Sequence, residues 1–189
     1  MSNIAIFASG SGTNAENLIN YFKENKKIQI SSIFSNNKNA YVVQRAKNHN
    51  IKSYIFSRTE FYQTSNVLRI LQQNNIDLIV LAGFLWLIPE ELIQHYPHKI
   101  INIHPALLPK YGGKGMYGMN VHQAVIDNHE KETGITIHYV NQEYDRGDII
   151  FQAKCKVDQT DTPETLAKKV HELEYEHFPE IIEKIALEL

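Results

Sequence analysis

Two short strings of residues carry most of the chemistry this sequence offers. The first is Asn102-Ile103-His104-Pro105, at the end of the apolar run KIINIHP. Side chains alternate along a strand, so Asn102 and His104 share one face while Ile101 and Ile103 occupy the other. Pro105 has no N–H to give to a ladder, which ends the strand and leaves His104 at its carboxyl end, where open α/β sheets keep their ligand crevices. A lone strand-end histidine is most often a structural hydrogen-bonding residue. An Asn two positions earlier in an apolar strand weakens that reading, because burying two polar groups demands partners or a function.

The second string is the turn Ser9-Gly10-Ser11-Gly12-Thr13-Asn14, between an apolar run and a helical one. Successive backbone N–H groups there, reinforced by the helix dipole, form an anion site, and Ser11, Thr13 and Asn14 add side-chain donors. A phosphate-bearing ligand is the sharp reading; a tight turn with a helix cap is the plain one. The turn lacks the lysine of a Walker loop and, with Ala15 where a third glycine would stand, the full dinucleotide fingerprint. Asp145, in EYDRGD, reads locally as a turn former. His138 shares a strand face with Thr136 and Val140 and is either a satisfied core histidine or a site residue. No H-x-x-x-H or cysteine pairing proposes a metal.

These residues need elements to position them, and short apolar runs alternating with amphipathic stretches predict an α/β fold on a mainly parallel sheet. Strands are expected at residues 3–8, 28–34, 52–55, 78–82 and 100–104, with helices at 14–25, 41–48, 60–74, 89–96 and 120–128. The runs at 133–140 and 149–157 are close enough to pair as a hairpin. DTPE opens a C-terminal helix with Thr162 as cap and Pro163 at its first position, and Pro179 is expected to bend the chain and restart a second helix. Without repeat or linker, residues 1–189 are expected to form a single domain.

The composition excludes several partner classes. With 19 basic against 21 acidic side chains and a net charge of −2, nothing favours nucleic acid or a membrane surface. Cys155 is the single cysteine and reads as a buried strand residue in a reducing compartment. No window approaches the roughly 18 apolar residues of a membrane span, and no basic segment precedes the first apolar run, so the expected setting is cytoplasmic.

Taken together, SGSGTN, AGF at residues 82–84, NIHPALLPKY at 102–111 and YDRGDII at 144–150 resemble the phosphoribosylglycinamide formyltransferase family, folate-dependent enzymes of purine synthesis. The resemblance implies a Rossmann-like fold, 10-formyltetrahydrofolate as formyl donor without a metal, and phosphoribosylglycinamide as acceptor. It implies a catalytic set of Asn102, His104 and Asp145, with His138 behind it. It places the acceptor phosphate on Gly12, Thr13 and Asn14 and a ribose contact on Glu174. The folate pocket falls on Leu85, Trp86, Leu87 and Ile88, with Asn102 and residues 141–145 facing them. The chain departs from the family where Leu85-Trp86 replaces a common Met-Arg, leaving Arg58 as a nearby cation for the folate tail. It departs again where the loop KYGGKGMYGMNVH is longer and richer in glycine than in some members, and where Glu174-Tyr175 replaces a Glu-His pair.

In that chemistry an amine attacks a formyl carbon. Asn102 would donate a neutral hydrogen bond to the developing oxyanion and a protonated His104 a charged one, while Asp145 would raise the His104 pKa and organise a proton-carrying water. Methionyl-tRNA formyltransferase, sugar-amine formyltransferases and formyltetrahydrofolate deformylase share the Asn, His and Asp. The tRNA enzyme usually adds a C-terminal domain and the deformylase an N-terminal one. SGSGTN favours a small phosphorylated acceptor. A catalytically silent folate or nucleotide-binding module would keep the glycine turn but need not place Asn102 and His104 on one face.

Overall fold

Alternation along the first strand decides how the sheet is covered. In the computed structural model, which describes residues 1–189, β1 (Ser2–Phe7) sends Ile4 and Ile6 to one face and Ala5 and Phe7 to the other, all fully buried. A strand buried on both faces belongs at the centre of a parallel sheet. β1 lies between β2 (Ile28–Ser35) and β4 (Leu78–Leu81), with β3 (Lys52–Ile55) beyond β2. On the other side β4 pairs with β5 (Ile100–His104), followed by β6 (Glu132–Tyr139) and β7 (Ile149–Lys156). The order β3-β2-β1-β4-β5-β6-β7 is parallel through β5, and β6 and β7 are antiparallel, the expected hairpin included. The chain winds outward from β1 to β3 and returns to β4. The switch point therefore lies between β1 and β4, and a crevice opens at their carboxyl ends.

One face packs Ile4, Ile6, Val80, Ile101 and Ile103 under α1 (Thr13–Phe22), α2 (Tyr41–Asn48) and α7 (Pro163–Leu187). The other is aromatic: Phe7 stacks on Phe34 at 4.8 Å and Phe56 on Phe61 at 4.9 Å, beneath α3 (Arg58–Tyr62), α4 (Asn66–Gln73) and α5 (Glu90–His95). α6 (Met119–Asp127) packs on α7. No helix is long and apolar enough to cross a membrane.

Four expectations are corrected. The helix expected at 60–74 is two, because the Thr64 hydroxyl bonds back to the Glu60 carbonyl and accepts from the Asn66 N–H, which breaks the first and starts the second. α1 stops at Phe22 rather than residue 25, since the Asn25 side chain accepts from the Lys27 and Ile28 N–H groups. α7 runs unbroken through Pro179. The Tyr175 carbonyl, which a proline four residues on cannot bond, accepts instead from Asn17 Nδ2 at 3.0 Å, so continuity leaves no orphaned acceptor. Cys155 is half-buried, being on the edge strand β7.

Candidate active site

A cavity of about 740 Å³ opens at the switch point, walled by the turns after β1, β4 and β5, the glycine-rich loop before α6, and α7. Gly12, Thr13, Asn14, Leu85, Asn102, His104, Asp145 and Glu174 all line it. Residues from five separate stretches of chain thus meet in one place.

At one end stands the pair of strands β5 and β6. Their register sets Asn102 opposite His138 and His104 opposite Thr136, so the side chains of each cross-strand pair share a face. Asn102 Nδ2 lies 3.1 Å from His138 Nε2 and 3.4 Å from Asp145 Oδ1. The His138 Nδ1–H donates to the Tyr139 carbonyl at 2.8 Å, which turns Nε2 toward Asn102. His104 donates its Nε2–H to the Tyr111 carbonyl at 2.7 Å and turns Nδ1 toward Asp145 Oδ2, 3.6 Å away. That carbonyl is held in place because the buried Thr136 hydroxyl donates to Ala106 O at 2.6 Å and accepts from Leu108 N–H at 3.0 Å, anchoring the loop that follows β5.

Asp145 is at once a turn residue and a neighbour of both histidines. Its backbone sits at φ 55, the left-handed position of a turn former, and its carboxylate is the hub of the polar cluster. Oδ2 accepts the Gly113 N–H at 2.8 Å, and Oδ1 lies 3.6 Å from His138 Nε2. Gly112 makes this approach possible, since a Cβ there would stand 3.2 Å from Asp145 Cβ and 2.5 Å from Leu108 Cδ2. Burial works against the Asp145 charge, but the His138 contact, the neighbouring His104 and the Gly113 N–H together hold its carboxyl below the usual range. Burial pushes His104 in the same direction, below an ordinary histidine; Asp145 and the Tyr111 carbonyl pull it up without cancelling that effect. Asp145 thus stands close enough to act on the charge of His104, while burial lowers the imidazole's pKa from its ordinary value.

At the other end, α1 begins at the glycine turn. Gly12 is its N-cap at φ 73, and a Cβ there would collide with Val42 of α2. α2 braces the turn further: Val42 N–H donates to Gly10 O at 3.1 Å, Arg45 Nε to Ser11 O at 2.9 Å, and Arg45 pairs with Glu16. The first N–H groups of α1 thus face the cavity on a fixed backbone. Asn14 Nδ2 donates to Glu174 Oε2 at 2.8 Å, and His171 Nδ1 lies 2.7 Å from the same oxygen. The Glu174 carboxylate beside it raises the His171 pKa.

Of the residues expected around a folate, Leu85, Asn102, Tyr144 and Asp145 line the cavity, and Trp86, Leu87 and Ile88 do not. Ile88 is buried in the aromatic core and the Leu87 carbonyl accepts from the Tyr62 hydroxyl. Trp86 lies against Phe56, Phe61 and Tyr62, with the Arg58 guanidinium 5.7 Å from its ring. Residues not singled out from the sequence also line the site: His122 of α6 and Ala167 and His171 of α7. The spacing 167, 171, 174 is one helical face and could have marked His171. His122 had no such signal, because its neighbours Val121 and Val125 are core residues.

A model of the formyl transferase family matches residues 2–182. Phosphoribosylglycinamide formyltransferase of Bacillus subtilis (strain 168) is 35% identical over 98% of this chain and 95% of its own. The chloroplastic enzyme of the same name from Arabidopsis thaliana is 36% identical over 98% of this chain, which spans 65% of that relative's length, and 61% of the corresponding relative from Vigna unguiculata. Among solved structures, phosphoribosylglycinamide formyltransferase from Anaplasma phagocytophilum superimposes with a TM-score of 0.89 at 33% identity, covering 99% of this chain and 88% of that one. A Rossmann-like sheet, a polar cluster at its switch point and this extent of likeness agree: the chain belongs to the formyl transferase family, among the phosphoribosylglycinamide formyltransferases.

Proposed function

We propose that this chain, acting as one domain over residues 1–189 in the cytoplasm, transfers the formyl group of 10-formyltetrahydrofolate to the amine of phosphoribosylglycinamide. The observation that carries the reading is the meeting of Asn102, His104 and Asp145 at one end of a cavity whose other end is a braced helix N-terminus. The acceptor phosphate rests on residues 12–14 and its amine reaches His104. The formyl donor enters between Leu85 and Tyr144, beside the aromatic flank that Trp86 and Arg58 form.

The amine attacks the formyl carbon, a C–N bond forms, and the carbonyl pair moves onto oxygen. Asn102 Nδ2 has two protons; one faces His138, and the other, only loosely engaged with Asp145 at 3.4 Å, is available to that oxyanion. His104, resting neutral, takes the proton released by the attacking nitrogen. As imidazolium beside Asp145 it faces the oxyanion and then gives the proton to the departing nitrogen as the bond to the donor breaks. No step in this scheme uses a metal. The test offers 10-formyltetrahydrofolate together with phosphoribosylglycinamide, its dephosphorylated riboside, an amino sugar, a tRNA acceptor, or water, and follows loss of the formyl group. Turnover with the phosphorylated acceptor, weakened strongly by removing the phosphate, is the expected result; turnover with water alone or with the amino sugar overturns it.

A further inference from the structure

A histidine that is to take the amine's proton needs a free lone pair, and an uncharged imidazole has a single N–H to place. Two acceptors compete for that proton at the His104 ring: the Tyr111 carbonyl, 2.7 Å from Nε2, and Asp145 Oδ2, 3.6 Å from Nδ1. While the Tyr111 carbonyl holds it, Nδ1 keeps its lone pair. Yet the Tyr111 backbone sits at φ 55, a left-handed conformation that a residue other than glycine keeps only where its surroundings impose it. The position of this carbonyl has to be set from elsewhere in the fold.

Strand register supplies the means. His104 pairs with Thr136 on β6, and Thr136 with Gln152 on the edge strand β7, so the three side chains form a row across one face of the sheet. Gln152 Nε2 donates to Thr136 Oγ1 at 2.8 Å and to the Leu108 carbonyl at 3.1 Å, which uses both of its protons. Thr136 Oγ1 is saturated too: it donates to Ala106 O and accepts from Gln152 and from the Leu108 N–H. Leu108 has no backbone partner at its N–H or its carbonyl, so side chains of β6 and β7 alone satisfy the middle of the loop after β5. Three residues on, Tyr111 presents its carbonyl to His104, and its hydroxyl ties the far end of the loop to Glu130 at 2.9 Å. Leu108 also packs against Gly112, whose neighbour Gly113 donates to Asp145. One residue therefore adjoins the supports of both competing acceptors.

We propose that Gln152, an edge-strand residue outside the cavity, is a positioning residue of the reaction: by holding Leu108 it sets the Tyr111 carbonyl that keeps His104 in the tautomer able to take a proton at Nδ1. The inference rests on the functional reading above and extends it to a residue that touches no substrate. Without the Gln152 amide, the carbonyl of the largely buried Leu108 has no donor, and the loop shifts to find one. The ring proton of His104 then passes to Nδ1, facing Asp145, and an N–H stands where the lone pair is needed.

The test reads the His104 ring and the kinetics side by side. Gln152→Met keeps the length of the side chain and removes both donors. Ring-nitrogen NMR shifts of His104, recorded well above its pKa, should show the Nε2–H tautomer in wild type and a growing share of Nδ1–H in Gln152→Met. With 10-formyltetrahydrofolate and phosphoribosylglycinamide, the same variant should lose about tenfold in kcat, with both KM values within about threefold. Thr136→Val should behave alike, and joining it to Gln152→Met should add little, since both act through Leu108; Thr136→Ser, which keeps the hydroxyl, should recover most of the loss. An unchanged His104 tautomer in Gln152→Met overturns the inference even where Tm and activity fall, since that pattern marks a purely structural role. Wild-type kcat in that variant overturns it too, as do fully additive losses in the double variant. If Gln152→Met does not fold, as judged by thermal unfolding, Gln152→Asn, whose amide is one methylene short, takes its place with the same expected outcomes. A wild type that formylates no acceptor overturns the functional reading alone, and the tautomer comparison then decides this inference by itself.

Discussion

Asn102, His104 and His138 stand on two paired strands whose register sets their separation, whereas Asp145, the glycine turn and the loop before α6 belong to connections between elements. The strand half is positioned by a ladder that also holds the sheet together. The loop half is positioned by individual bonds and close approaches, such as the Gly113 N–H on Asp145 and Gly12 against Val42. Substitution in the first half should therefore change chemistry and leave the backbone alone, while substitution in the second should move geometry, affinity and stability together.

The sharpest way to break that contrast is His104→Ala. The side chain acts on charge that develops during reaction, and removal of one such group typically lowers kcat about 100- to 1000-fold. Acceptor affinity by calorimetry should stay within about threefold, under 1 kcal/mol. A variant that retains more than about a tenth of wild-type kcat is inconsistent with the role given to His104. Asn102→Ala should show the same pattern with a smaller loss, because its hydrogen bond is uncharged.

Gly12→Ala tests the loop half. The residue sits at φ 73 and the added Cβ meets Val42, so backbone strain and a steric clash coincide; together they should lower stability by about 2 kcal/mol. The Tm and the acceptor affinity should fall together. Adding Val42→Ala should relieve the clash and restore part of the Tm, with the φ strain remaining. A Gly12→Ala protein with wild-type Tm and acceptor affinity would erase the distinction between the halves.

The same distinction explains what was legible from the sequence. Alternation along residues 100–104 and a proline stop were enough to put Asn102 and His104 on one face at a strand end, because strand geometry is local. The hairpin followed from a similar local signal, whereas the sheet's order, set by which strands pair across the fold, did not. The position of Asp145 beside them was legible only through resemblance, since 41 positions separate it from His104 and its local pattern is a turn. His122 and His171 come from helices whose docking is decided by the core, which a sequence pattern does not specify. The misreading at Pro179 is of that type too, as the bond that rescues the Tyr175 carbonyl comes from Asn17 on another helix. For His104 the charge partner was visible through the resemblance, whereas the depth of burial that lowers its pKa was not.

Asp145→Asn probes the contact between the halves. Asn preserves size and some hydrogen bonding but removes the charge that favours imidazolium, so the His104 pKa, already below the ordinary value, should fall further. A less basic His104 takes up the amine's proton less readily, and kcat should drop about tenfold. An NMR titration of His104 in wild type and variant reads the sign directly. An unchanged or higher pKa in Asp145→Asn would show that the aspartate shapes the turn without acting as a charge partner.

The smallest expected effect is the dependence of stability on pH, where the cavity's histidines divide by location. His104 and His122 have folded-state pKa values lowered chiefly by burial. As pH falls below about 6.5, the unfolded chain takes up their protons before the folded protein does, so stability is lost through that window. His171 is the opposite case, with its pKa raised by Glu174. Its contribution is fully present below about 6.5 and is lost as pH rises through the folded-state value. Asp145, held below the carboxylate range, adds a loss only at more acid pH. These three histidines together predict a stability maximum near the ordinary histidine pKa, falling on both sides. Thermal unfolding across pH 5 to 9 should show it in wild type. His122→Phe should make the acid side shallower and leave the alkaline side unchanged, and His171→Gln should do the reverse. If both variants alter the same side, the opposed environments assigned to these histidines are wrong.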